Sequence, residues 1–328
     1  MSKSQMTRRS LIKALATSTV AVGLGAAVAP AAGAAPAPTA AGPLAAAGNG
    51  RLVPPGKIGI QLYSIRDKVS SLGFRTVFEQ LADIGYSEIE FAGYTQNQVG
   101  PITPEEIRQL LDDNGLRAVG SHVGINALRT DLPRQLEIAN ILGMPHVGTA
   151  NAPSNVNTVD GYRAAADEFN AWGAQAAAAG LKLYQHNHAG EFAFATDRPD
   201  VRLYDVFFDN TDPRTVFLEM DVYWAFVGQH LYPGFEPIDY VRNHAHRYPL
   251  LHLKDGARNE ANPNGFDIIE FDAGDLPYRE FLRATKARGT RWGIWEQDNA
   301  PTTAVPPNPV DSFGNARRSY TSILGLRG

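Results

Sequence analysis

Histidines and carboxylates recur at the ends of apolar runs in this 328-residue chain. One run closes in LYQHNHAGEF, with His186 and His188 two apart and Glu191 five past the first. Others close on Glu90, on His122, on Asp221, on the pair His252 and Lys254, and on Glu296. Imidazole nitrogens and carboxylate oxygens are ligands of divalent cations, and the same groups serve as general acids and bases. Each residue also has an ordinary role: a carboxylate after a strand caps the next helix, and a lone histidine is often a satisfied core group. The chain has no cysteine, which excludes thiolate catalysis, disulfides and zinc–sulfur sites. Any metal must therefore be held by His, Asp, Glu or water.

What positions these residues is a repeating pattern. KIGIQLYS, YSEIEFAG, LRAVGSHV, PHVGT, LKLYQHNH, TVFLEMD, LLHLKD and RWGIWEQD are eight strand candidates. Each is followed by an amphipathic stretch or by a loop long enough to hold one. Phe74, Val77, Phe78, Leu81 and Ile84 recur at helical spacing before Gly85. Thr103-Pro104-Glu105-Glu106 has the form of a capping box, and Ile107, Leu110 and Leu111 form the buried face behind it. Asp131 is the expected cap of the next helix, an Ala-rich helix is expected around 158–179, and the last helix near 309–325. Strands alternating with helices predict a parallel sheet. Eight repeats over about 270 residues predict an α/β fold with a single (β/α)8 TIM barrel. An open doubly wound sheet is the competing architecture, but no Gly-rich phosphate fingerprint follows the first strand.

In such a barrel the chemistry sits at the C-terminal ends of the strands. Side chains alternate along a strand, so His186 and His188 share one face, as do Glu219 with Asp221 and His252 with Lys254. Buried charges without partners are costly, and a bound divalent cation is the simplest common partner for His, Asp, His and Glu at the ends of strands five to eight. The remaining histidines read as structural or solvated. His146 begins strand four, His244 and His246 lie near a helix end, and His230 falls in an expected loop.

Apolar residues are 44% of the chain and charged residues 20%, and the net charge is −4. With no cationic block in the body of the chain, nucleic acid is not an expected partner. Residues 7–13, TRRSLIK, precede a run of Ala, Val and Gly that leads to Ala32-Gly33-Ala34. This has the form of a cleavable twin-arginine signal carrying Arg8 and Arg9, with residues 1–34 removed. Residues 35–56 then read as a linker and 57–328 as the barrel domain. The expected location is periplasmic or extracellular, reached through the twin-arginine export machinery. The sequence specifies no oligomeric state.

GIQLYSIRD, IEFAGY, YQHNHAGEF, EMDVYWAFVGQ, LHLKD and WEQD together resemble the sugar phosphate isomerase/epimerase family. This belongs to the xylose isomerase-like TIM barrel superfamily, which also includes endonuclease IV. The resemblance runs from about residue 57 to 325. It implies one divalent metal at the barrel mouth, held by Glu, Asp, His and Glu after strands five to eight. The last three correspond to Asp221, His252 and Glu296. His186 stands where the first Glu is expected, with His188 and Glu191 as alternatives. Imidazole in that place favours zinc, manganese or cobalt over magnesium.

The resemblance further implies a carbohydrate substrate and proton abstraction beside a carbonyl through an enediolate. Glu296 is then the expected base, with His186 or His188 as its proton-transfer partner, and Lys254 holds or protonates a substrate oxygen. Glu90 and His122 are expected to bind hydroxyls, and Trp224 to form an apolar wall. Isomerisation, epimerisation and β-elimination on a keto-sugar glycoside all begin with this step. A non-catalytic sugar-binding barrel and an endonuclease IV-like nuclease are further alternatives. Export and the negative charge oppose the nuclease.

Overall fold

Eight short strands pair in parallel and close into a ring. They are β1 (Ile58–Gln61), β2 (Glu88–Phe91), β3 (Arg117–Ser121), β4 (His146–Thr149), β5 (Lys182–His186), β6 (Val216–Asp221), β7 (Leu250–Leu253) and the last, β10 (Trp292–Trp295). The order is β3-β2-β1-β10-β7-β6-β5-β4, and a parallel bridge between His122 and Gly148 joins the two ends. All eight strand candidates are found at their expected places. The computed structural model describes residues 50–286 and 291–328, within the compact unit Ala46–Gly328. The expected export signal, 1–34, and linker residues 35–49 lie outside the described residues.

Helices cover the strands, so the strands are buried on both faces and read as apolar runs. They are α1 (Arg66–Ile84), α2 (Pro104–Asn114), α3 (Ile125–Leu142), α4 (Val159–Ala178), α5 (Leu203–Asn210), α6 (Val222–Leu231), α7 (Pro237–Asn243), α8 (Tyr278–Lys286) and α9 (Ser312–Gly325). The capping box is formed: Thr103 Oγ1 accepts the Glu106 N–H, and Glu106 accepts the Thr103 N–H.

Three features depart from the sequence reading, and one expected helix start is found inside a longer helix. Asp131 stands where expected: its non-helical backbone angles (φ −153°, ψ 47°) mark a kink within α3 at which a second helix begins, with Pro133 two residues on and Gly143 at its end. His230 lies in the last turn of α6, not in a loop. Contact with the barrel begins before residue 57, because Leu52 and Val53 are buried and the Leu52 N–H donates to Leu326 O at 3.1 Å. An antiparallel hairpin, β8 (Asp255–Arg258) and β9 (Phe266–Ile269), intervenes between the seventh and eighth barrel strands.

The barrel interior is layered. Val119, Tyr184, Leu250 and Ile294 form a separate apolar cluster there. Tyr184 fits because its neighbours are glycines. A Cβ on Gly148 would lie 2.6 Å from the tyrosine ring, and one on Gly120 would lie 2.9 Å from its hydroxyl. Strand alternation places His186 two residues past Tyr184, His252 two past Leu250 and Glu296 two past Ile294. The apolar cluster is thus the floor on which the polar residues stand.

Candidate metal centre

The HNH segment is fixed by its middle residue. Asn187 donates to Asp221 O and accepts the Asp221 N–H, both at 3.2 Å. This double bond between the ends of β5 and β6 leaves His186 and His188 as neighbours, ring centroids 5.0 Å apart. Glu191 braces the same turn by accepting the His188 N–H at 3.0 Å. Burial pushes its carboxyl up to about 7. Glu191 is in neither of the clusters of ligand atoms described next.

Two sets of possible ligand atoms each lie within 4.8 Å of one another. One is His186, Asp221, His252 and Glu296; the other is His122, His186, Glu219 and His252. The first is the set expected from the sequence. Asp221 serves two ends: Oδ1 accepts the Trp224 N–H at 2.9 Å and caps α6, while Oδ2 lies 3.8 Å from both His186 Nε2 and His252 Nδ1. Glu296 Oε2 lies 2.8 Å from His252 Nδ1. The helix-cap reading and the ligand reading of Asp221 thus apply to different oxygens of one carboxylate.

The donor set fits a divalent cation. Asp221 Oδ2 is buried and has no hydrogen bond among the described residues; Lys254 Nζ lies 3.0 Å away but outside hydrogen-bond geometry. Glu90, Glu219, Asp221 and Glu296 are all buried, against the Lys254 ammonium and His252, whose imidazole burial would lower but Glu219, Glu296 and Glu90 hold well above the usual histidine range. Such an excess of buried carboxylate calls for further positive charge. A buried His/Asp/Glu cluster able to hold a divalent ion is therefore present.

The electrostatics follow from these distances. Burial raises the Asp221 carboxyl to about 6, against the opposing pull of Lys254 and His252. Burial also opposes the Lys254 charge, but Asp221, Glu296 and Asp298 hold it well above the usual lysine range. Burial and His252 keep His186 well below the usual histidine range, hence neutral. His188 is lowered to about 4 by burial and by Lys254.

The other expected residues are placed as follows. Trp224 lies beside Lys254, whose Nζ is 5.5 Å from its ring centroid, and beside His188 at 5.7 Å. Its indole N–H is buried with no acceptor among the described residues. His122 retains slight exposure and contacts Glu219 at 2.9 Å. Glu90 is fully buried; its oxygens contact Tyr184 Oη at 2.5 Å and His252 Nε2 at 2.6 Å. His146 lies at the floor, with Nδ1 on Val119 O at 3.0 Å. Burial lowers it to about 4.

Two residues of the site were not singled out from the sequence. Glu219 sits among three imidazoles, and its alternation with Asp221 was the available signal. Asp298 holds Lys254 Nζ at 3.0 Å, and it follows Glu296 by two residues in the same way.

A family model described as xylose isomerase-like TIM barrel matches residues 78–317. A crystal structure of a sugar phosphate isomerase/epimerase from Parabacteroides distasonis superposes with a TM-score of 0.65 at 22% identity, covering 83% of this chain and 96% of that one. The structure of the IOLI protein with a bound zinc atom gives a TM-score of 0.62 at 14% identity, covering 83% and 99%. In sequence, the inosose dehydratase of Geobacillus kaustophilus is 24% identical over 232 residues, which is 62% of this chain and 71% of that protein.

Proposed function

The chain belongs to the xylose isomerase-like TIM barrel family, and from that premise we propose that it is a metal-dependent isomerase or epimerase of a small carbohydrate. The observation that carries this reading is the convergence of His186, Asp221, His252 and Glu296 around the buried Lys254. A divalent ion held by these four would supply Lewis acidity toward a substrate carbonyl, and zinc, manganese or cobalt suits the two imidazoles better than magnesium.

The chain's own groups divide the remaining work. Glu296 removes the proton beside the carbonyl; Oε2 lies 2.9 Å from Lys254 Nζ, and Lys254 and His252 keep the carboxyl ionised against burial. Lys254 holds the substrate oxygen on which charge develops. His188, neutral in its buried place, returns or relays the proton. Trp224 offers its ring to a sugar face and its unpaired N–H to a hydroxyl.

A second reading keeps the same first step and ends in β-elimination. It is supported by the similarity to a protein named as a dehydratase, since dehydration beside a carbonyl also starts with proton removal. On a keto-sugar glycoside the C–H bond breaks, a C=C bond forms, and the C–O bond breaks with proton transfer to the leaving oxygen. Incubation of the metal-loaded protein with free, 3-keto and glycosylated sugars in deuterated water separates the readings. Deuterium beside the carbonyl without aglycone release supports isomerisation or epimerisation. Aglycone release supports elimination, and neither outcome on any sugar counts against both.

Export is part of the proposal and rests on residues 7–34 alone. Replacement of Arg8 and Arg9 by lysine should retain the protein in the cytoplasm. Export undiminished by that change would remove the twin-arginine assignment.

A further inference from the structure

Glu219 is not in the ligand set of the proposed centre, yet it touches three of the imidazoles around it. Its Oε2 lies 2.9 Å from His122 Nε2, 3.2 Å from His186 Nδ1 and 3.2 Å from His252 Nε2. The side chain is fully buried. A neutral imidazole carries one N–H and one bare nitrogen, and which is which is set by the partner of the other. A nitrogen that faces a carboxylate oxygen in a buried site must carry the hydrogen, because two acceptors at that distance repel.

His186 is then protonated on Nδ1 and bare on Nε2, the nitrogen on the Asp221 side at 3.8 Å. On His252 the Nε2 faces Glu219 and also Glu90 Oε2 at 2.6 Å. Its Nδ1 lies 2.8 Å from Glu296 Oε2, so carboxylates stand at both nitrogens of His252 and these contacts leave neither bare. We propose that Glu219 is a positioning residue that fixes the tautomer of His186, so that its bare Nε2 is presented to a cation on the Asp221–Glu296 side. This rests on the metal reading above and goes beyond it by choosing between the two clusters.

The choice follows because the clusters share His186 and His252. An ion among His122, His186, Glu219 and His252 would need Nδ1 of His186 bare, turning its N–H toward Asp221. One neutral imidazole cannot offer both nitrogens, so Glu219 orients His186 and the carboxylates of Asp221 and Glu296 complete the site. Outer partners of this kind contribute about 10–100-fold in metal affinity.

The test uses the metal-free full chain and zinc alone as probe. Wild-type protein should bind one zinc per chain, and Glu219→Gln should bind it about 10–100-fold more weakly with its melting temperature nearly unchanged. Nitrogen-15 histidine spectra of the zinc-loaded wild type give a readout that needs no variant. They should show the proton on Nδ1 of His186, with zinc on its Nε2. Wild-type affinity in folded Glu219→Gln, a proton on Nε2 of His186, or zinc on His122 would each overturn the inference while leaving a metal protein. A wild type that binds no zinc, manganese or cobalt removes the metal reading itself.

Discussion

The Lys254 ammonium lies 3.0 Å from Asp221 Oδ2 and 2.9 Å from Glu296 Oε2. The lysine therefore contacts the two carboxylates that would also hold the metal. Both cations draw on the same negative charge, and at such distances like charges repel by several kcal/mol in a partly shielded site. Asp298 moderates this by holding the ammonium from the other side at 3.0 Å.

Lys254→Met should accordingly raise zinc affinity, by about tenfold or more. The same variant should slow deuterium exchange into substrate by about 100–10,000-fold, the usual worth of a lost acid or charge partner. Zinc titration and exchange on the same preparation check both. Weaker zinc binding in a folded Lys254→Met protein would mean that the lysine supports the ion and does not compete with it.

Glu191 should make stability fall as pH rises. Burial lifts its folded-state pKa from 4.5 to about 7. The neutral carboxyl favoured by folding therefore contributes fully below the unfolded value, and that contribution is lost as pH climbs through about 7. Glu191→Gln keeps an acceptor for the His188 N–H and removes the titration. Relative to wild type, the variant should gain on the order of 1–3 kcal/mol between pH 5 and pH 8, measured by urea unfolding. A constant difference across that range would show that Glu191 is not held in the neutral form.

His186→Glu would put the family's expected carboxylate back, but against Glu219, whose Oε2 now lies 3.2 Å from His186 Nδ1. Two buried carboxylates so close cannot both ionise cheaply. The single variant should bind zinc poorly and melt lower. Adding Glu219→Gln should restore binding and shift preference from zinc toward magnesium and manganese, with Glu90 still orienting His252. Zinc-to-magnesium affinity ratios for the three proteins check this, and an unchanged ratio in the double variant would count against His186 as a ligand.

The barrel was legible because each strand is a short apolar run buried on both faces, and the clustering of His186, Asp221, His252 and Glu296 because alternation sends every second residue inward. Glu219 obeyed the same alternation. Its importance depends on the packing of His122, His186 and His252 around one oxygen, which no spacing along the chain displays. The hairpin β8–β9 escaped because DGAR and FDII are brief and DGAR holds a single apolar side chain, that of Ala257. Leu52 and Val53 were read as linker because Gly and Pro flank them; Leu52 is tied to the far C-terminus through Leu326, and Val53 lies beside Gly293 of the last barrel strand. His230 looked like a loop residue because the helix that carries it is short and nearly uniformly apolar.

The central claim is that Asp221 completes a divalent-cation site through Oδ2. Asp221→Asn keeps the Oδ1 acceptor that caps α6 and removes the anionic charge, so loss of the fold does not confuse the outcome. The direct measurement is zinc titration of metal-free wild type and this variant, side by side. One tightly bound ion per wild-type chain is expected, with affinity at least about 100-fold weaker in Asp221→Asn. Equal affinity in the two proteins would contradict the account.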